Sequence, residues 1–307
     1  MPLPTDTRDR LGLLAGAAAA VAGLALVGAL PPGPGDGPRA TADASTASAA
    51  AVTAGETPVR AARTRPAPVL RDIPYLAPGG PVLDVHRPAA AGARPAVMVV
   101  HGGAWSAGDK AAIGHVARAV ADAGMVAVNV NYTLTAPGRP GFPRQSGELT
   151  GAIDWVRANA RRIGADPDHV GALGSSAGGH LAALVATTRP GQLDAVVTWS
   201  APFDLAAPKL RRRLQAKIAG YLGCAPCPRR AAAASPLTHA GGGDPPLLIV
   251  NSRRELVPAD QARRMAARLR LAGAPRQLLL VPGRLHAPHY SPAVLGTSLD
   301  FLARRLR

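Results

Sequence analysis

Of 307 residues only two are cysteine, and aromatic side chains make up 3%. Two cysteines cannot staple a disulfide-dense scaffold. Nor can Cys224 and Cys227 close a structural zinc site without further ligands, and no histidine stands at finger spacing, so no metal is expected. The poverty in aromatics matters because the formal charge is +16, which invites nucleic acid as a partner. Nucleic-acid recognition joins a basic surface to aromatic stacking groups or a recognisable module. Neither is present, and no nucleic-acid partner is expected. Lysine is also scarce, confined to Lys110, Lys209 and Lys217, so the charge is almost entirely arginine. Arginine is abundant here together with alanine and proline, which marks a compositional bias. Attraction to anionic cell-envelope polymers or lipid headgroups is a secondary consequence.

Hydrophobic residues make up 47% of the chain, ample for one large core at this length. The long uncharged run at residues 11–30, behind Arg8 and Arg10, reads as an export signal or a membrane anchor over residues 1–30. It is long enough to span a bilayer, although alanine and glycine dominate it. Pro31-Pro32-Gly33-Pro34-Gly35 then opens a stretch to residue 68 rich in Ala, Thr, Pro and Arg, read as a disordered linker. Small-residue sites near Ala42-Asp43-Ala44 and Ala47-Ser48-Ala49 leave secretion and a single-pass anchor both open. Either places residues 69–307 outside the cell, free or tethered to the outer face of the membrane.

Within residues 69–307, short apolar runs recur at 96–100, 125–130, 170–173, 195–199, 247–250 and 278–281. Helical patterns are read at 110–123, 148–159, 177–187, 260–272 and 297–307. That alternation predicts an α/β fold, a doubly wound and mostly parallel sheet flanked by helices. The arginine-rich faces of the last two helices read as solvated surface.

Gly174-Ser175-Ser176-Ala177-Gly178 follows one of these runs and precedes a small-residue helix. Strand, sharp turn and helix in this order make a nucleophile elbow, with glycines two before and two after the serine leaving room for its backbone. Ser176 is the candidate nucleophile. Upstream, His101-Gly102-Gly103-Ala104-Trp105 also follows an apolar run, as a loop supplying an oxyanion hole does. The amides of Gly102, Gly103 and Ala177 are the candidate donors.

These landmarks, together with Gly108-Asp109-Lys110, Asn131-Tyr132, Asp154-Trp155, Asp166-Pro167, Gly179-His180 and Ser235-Pro236, resemble the α/β-hydrolase superfamily. The likeness is to esterases and lipases with a His-Gly-Gly oxyanion loop, of the hormone-sensitive-lipase-like and acetyl-esterase-like branches, and covers most of residues 69–307. It implies a catalytic histidine in the loop after the final strand. His286 stands there, with His289 as competitor. His86, His115, His169 and His239 are expected at the surface, and His101 and His180 to bond local backbone near the site.

The resemblance also implies an aspartate three residues before a Val-Pro pair. Here the pair is Val257-Pro258 and Arg254 occupies that position, where a guanidinium cannot orient an imidazole. Glu255, the next residue, is the leading acid. Asp204, after the preceding strand, is the alternative, unless it serves its own loop as an Asx-type turn. Residues 205–240 would form a small cap, in which Cys224 and Cys227 pair as a tight disulfide or remain free thiols.

The expectation is a serine carboxylester hydrolase acting on small or acetyl-type esters through an acyl-enzyme, with no cofactor. A serine peptidase of the same fold and a catalytically impaired surface binding domain are the rivals.

Overall fold

The computed structural model describes residues 68–307 apart from Lys209. The leader expected at 1–30 and nearly all of the linker expected at 31–68 lie outside the described residues. The chain runs through β1 (Leu70–Pro74), β2 (Val82–His86), β3 (Arg94–Val100), a 3-10 turn at Lys110–Ile113, α1 (Gly114–Asp122), β4 (Val126–Val130), α2 (Arg144–Ala158) and α3 (Ala160–Ile163). It continues with β5 (Ala165–Ser175), α4 (Ala177–Thr188), β6 (Ala195–Trp199), α5 (Arg212–Leu222), α6 (Pro228–Ala233) and α7 (Pro236–His239). The last elements are β7 (Leu247–Ser252), α8 (Ala259–Leu271), β8 (Arg276–Val281) and α9 (Ser291–Arg305). No helix among the described residues is long and apolar enough to cross a membrane.

The strands form one eight-stranded sheet in the order β1-β2-β4-β3-β5-β6-β7-β8. β1, β2 and β4 pair antiparallel, and every pairing from β4 through β8 is parallel. Successive side chains of a strand point to opposite faces. Accordingly Ala96, Met98 and Val100 of β3 enter the core on one face, and Val97 and Val99 enter the core on the other. α1 and α9 cover one face, through Val116, Val120, Val294 and Phe301. α2, α4 and α8 cover the other, through Ile153, Leu181 and Met265. Two helical layers around a largely parallel sheet remove both faces of the central strands from water.

α4 is buried from Ala177 to Thr187, which explains its composition. A helix this close to the sheet has room for glycine and alanine where bulkier side chains would hold it away. Gly171 of β5 similarly lies under Leu306 and Leu302 of the C-terminal region.

Parallel pairing brings the carboxyl ends of the strands to one edge. Val100 pairs with Gly174, Ser175 with Trp199, and Ser252 with Val281. The loops that follow β3, β5, β6, β7 and β8 therefore emerge side by side, where open α/β sheets place their ligands.

The structure departs from the sequence reading in several places. β8 is an edge strand with an exposed first half, and Leu278 is 39% exposed, where a buried run was expected. His86, expected at the surface, is buried on β2. α2 begins at Arg144 rather than at 148, and α9 at Ser291 rather than at 297. The first helical stretch is divided into a 3-10 turn and α1, with Asp109 Oδ1 accepting from the Ala111 amide at its start.

Candidate active site

Ser176 sits at the turn between β5 and α4 with φ 52° and ψ −114°, a left-handed backbone that a non-glycine residue rarely adopts. The surroundings hold it there. A Cβ at Gly174 would collide with the Gly178 carbonyl, and one at Gly178 with the carbonyls of Val100 and His101. The Ser176 amide donates to the Trp199 carbonyl at 2.6 Å. These close approaches explain the glycine at each side of the elbow.

His286, in the loop after β8, lies with Nε2 2.9 Å from Ser176 Oγ. Its Nδ1 donates to Glu255 Oε2, from the loop after β7. Glu255 is fully buried at its side chain. Its other oxygen, Oε1, accepts from Ser200 Oγ at 2.7 Å and from the Ser252 amide at 3.0 Å. Ser200 follows β6, has φ 54°, and lies 2.8 Å from the hydroxyl of Tyr290. The Ala287 amide donates to Ser200 Oγ at 3.2 Å, and Ser252 Oγ donates to the Leu285 carbonyl at 2.6 Å. The acid loop and the histidine loop are thus tied together on both sides of His286.

Arg254 is exposed, and its amide donates to Gly283 in the loop after β8. One residue of loop shift and one extra methylene bring Glu255 to the imidazole in place of an aspartate. Asp204 is directed elsewhere: it pairs with Arg264 at 2.8 Å and accepts from the Ala206 amide at 3.0 Å, an Asx-type turn. His289 is exposed.

The oxyanion loop packs directly on the elbow. A Cβ on Gly102 would stand 3.2 Å from Ser176 Cβ, and Gly103, with φ 119°, has its α-carbon against the Ala107 carbonyl. The amides of Gly102, Gly103 and Ala177 donate to no backbone or side-chain acceptor among the described residues. Unused donors beside a serine hydroxyl form a site suited to a developing negative oxygen.

Three aromatic or imidazole rings hold this loop against the segment 205–240. Trp105 stacks on Tyr221 of α5 with centroids 4.6 Å apart, and His180 meets both edge-on. Trp105 Nε1 donates to His180 Nδ1 at 3.2 Å, and His180 Nε2 donates to the Ala234 carbonyl at 2.8 Å. Complete burial pushes the His180 pKa down to about 4, so the ring is neutral at pH 7. His101 also bonds local backbone, with Nδ1 donating to Gly102 at 2.6 Å while its ring stacks on Tyr132. Burial lowers its pKa as well. Gln145 Nε2 donates to the carbonyls of Trp105 and Thr133 at 2.8 and 2.9 Å.

A cavity of about 90 Å³ opens at the nucleophile, lined by Ala104, Trp105, Ser176, Ala177, Leu214 and Val257 among others. Leu214, with Arg213 and Lys217, comes from α5. The sulfurs of Cys224 and Cys227 lie at disulfide distance, with Cα atoms 5.9 Å apart. Among the described residues, no group of His, Cys, Asp and Glu side chains is arranged to hold a metal ion.

Sequence reasoning named Ser176, His286, Glu255, Gly102, Gly103 and Ala177, and the structure brings all six together. It missed Ser200, Ser252, Tyr290 and Gln145. Only Ser200 carried a local signal, as the first residue past a strand at the same sheet edge.

Residues 83–269 match the family described as BD-FAE. The chain belongs to the BD-FAE family. It is an α/β-hydrolase of the esterase/lipase type. Two relatives of this BD-FAE protein come from Mycobacterium tuberculosis strain ATCC 25618 / H37Rv. Esterase LipQ is 32% identical over 226 residues, covering 66% of this chain and 53% of LipQ. The probable carboxylic ester hydrolase LipM is 30% identical over 208 residues, covering 58% of this chain and 46% of LipM. The chain spans about half the length of these relatives. Among solved structures, a truncated form of a carbohydrate esterase from gut microbiota superposes with a TM-score of 0.70 at 23% identity, covering 80% of this chain and 98% of that one. That likeness concerns the fold.

Proposed function

We propose that this BD-FAE protein is a serine carboxylester hydrolase acting on esters of short acyl groups. The observation that carries the reading is a pair of hydrogen bonds through one imidazole, Ser176 Oγ to His286 Nε2 on one side and His286 Nδ1 to Glu255 Oε2 on the other. An imidazole that donates through Nδ1 to a carboxylate keeps Nε2 free to accept the serine proton. Ser176 Oγ then bonds to the ester carbonyl carbon while His286 takes its proton. The amides of Gly102, Gly103 and Ala177 receive the carbonyl oxygen as it becomes negative. Collapse breaks the carbon–oxygen bond to the alcohol, which leaves with the proton from His286. Water, activated by the same histidine, releases the acid and restores Ser176.

Support for a short acyl group comes from volume. At about 90 Å³ the cavity at Ser176 is far smaller than the neighbouring one of about 600 Å³. An acetyl or propionyl group fits such a space and a long acyl chain does not. The names of the relatives, esterase and probable carboxylic ester hydrolase, support ester hydrolysis itself. The uncharged run behind Arg8 and Arg10 and the paired sulfurs of Cys224 and Cys227 support a working place outside the cell.

A serine-reactive fluorophosphonate is expected to label the protein and Ser176→Ala to abolish labelling. 4-Nitrophenyl acetate is expected to be cleaved faster than the octanoate. Folded protein that resists the probe would support a binding domain instead, and full esterase activity in Ser176→Ala would overturn the assignment.

A further inference from the structure

Beside the cavity at Ser176 stand two cations of α5. Arg213 and Lys217, one helical turn apart, both line it. Lys217 also lines a second, larger cavity of about 600 Å³, between α5 and the loop 135–140, which Thr135, Arg139 and Tyr221 help to enclose. Lys217 is therefore a wall of both spaces. One is sized for a short acyl group and the other for a much larger body.

Neither cavity is lined by an aspartate or a glutamate. The segment 205–240 carries two lysines and five arginines and no acid at all. Glu255 is engaged with His286, Asp204 with Arg264, and Glu148 with Arg144. Where an acid stands near a buried or half-buried cation it is used: Arg144 pairs with Glu148, and Lys110 with Asp72 and Asp84. Among the described residues, Arg139, Arg213 and Lys217 form no ion pair and no side-chain hydrogen bond. Like charges four positions apart on a helix repel, a penalty that an anion between them removes. Low-dielectric walls further concentrate the field of one-signed charges in a cleft.

We infer that the alcohol part of the ester is anionic, its carboxylate or phosphate received by the cations that line these spaces, Arg213, the shared Lys217, and Arg139. The inference rests on the esterase reading and extends it to the substrate class. It also distinguishes the parts of the site: the small cavity takes the acyl group, and the charged groove takes the leaving alcohol.

Three acetates of near-equal shape test it with the full chain: 3-acetoxybenzoate, 3-acetoxyphenyl phosphate and the neutral 3-acetoxybenzamide. At low ionic strength kcat/KM for at least one anionic ester is expected to exceed that for the amide by about five-fold or more, mainly through KM. Which anion is preferred tells carboxylate from phosphate. The ratio is expected to fall toward one in 0.5 M NaCl and in the double variant Arg213→Met/Lys217→Met, and to persist in Arg268→Met on the exposed face of α8. Equal rates for all three esters, or a preference that survives the double variant, would overturn the inference and leave the esterase reading intact. If none is cleaved, the esterase reading fails. Calorimetric titration of Ser176→Ala with the same compounds then decides the anion site: selective binding of an anionic ester upholds it, and no selectivity removes it.

Discussion

Glu255 stands one residue past the position that the resemblance assigned to an aspartate, and its neighbours explain how it is held against His286. Burial of a carboxylate is costly unless donors satisfy it. Glu255 has three, from Ser200, Ser252 and His286. In the proposed mechanism Glu255→Gln leaves the imidazole in the wrong tautomer, and kcat is expected to drop by roughly ten-thousand-fold. Ser200→Ala removes one charge-assisted hydrogen bond, so a fall in kcat of about ten-fold is expected with KM little changed. Steady-state kinetics on 4-nitrophenyl acetate measures both, and a Ser200→Ala protein as fast as the parent would show that the Ser200 contact does not support the acid. Ser176, His286 and Glu255 were legible in the sequence because serine, histidine and an acid are each tied to a loop after a strand. Ser200 and Tyr290 were not, because the contacts of Ser200 with the acid and of Tyr290 with Ser200 are created by folding across 55 residues and more.

At the scale of elements, the turn between β5 and α4 fixes the serine through backbone crowding. Gly178→Ala places a methyl group against the carbonyls of Val100 and His101, neither of which is the yielding end of a side chain. A loss of more than about 3 kcal/mol in stability is expected, measured as the shift in urea midpoint. An unchanged midpoint would mean that the strand end gives way more easily than its packing indicates. The central strands β3, β4, β6 and β7 were legible nearly to their ends, since runs buried on both faces read as unbroken apolar stretches. β1 and β2 were not read as strands. Arg71, Asp72 and Asp84 interrupt them, and this antiparallel margin of the sheet tolerates those charges through Lys110, which pairs with both aspartates. The start of α9 was missed although Ser291-Pro292 is a good opening for a helix. The helix α5 escaped notice for another reason. Its apolar residues, Leu214, Ile218, Tyr221 and Leu222, keep helical spacing among many alanines and arginines that blur the pattern.

For the molecule as a whole, buried histidines link stability to acidity. Burial lowers the pKa of His86, His101 and His180, the last to about 4 from an ordinary 6.5. Between those values the unfolded chain binds a proton at residue 180 that the native protein refuses, so stability falls as pH falls from 6.5 toward 4. Residue 180 alone accounts for about 3 kcal/mol across that window, at about 1.4 kcal/mol per unit. Urea unfolding at pH 7 and pH 4.5 is expected to show a smaller difference for His180→Gln than for the parent. Parallel slopes would mean that the ring takes its proton without unfolding.

The loops that bear Ser176, His286, Glu255 and the two oxyanion glycines each leave a strand of one rigid sheet, whereas α5, which bears Arg213, Leu214 and Lys217, belongs to none. On the proposed mechanism and substrate class, bond-breaking and choosiness are thereby housed in separate parts. On that reading a lineage can exchange residues on one short helix and drift toward new esters while the proposed hydrolytic residues are inherited unaltered.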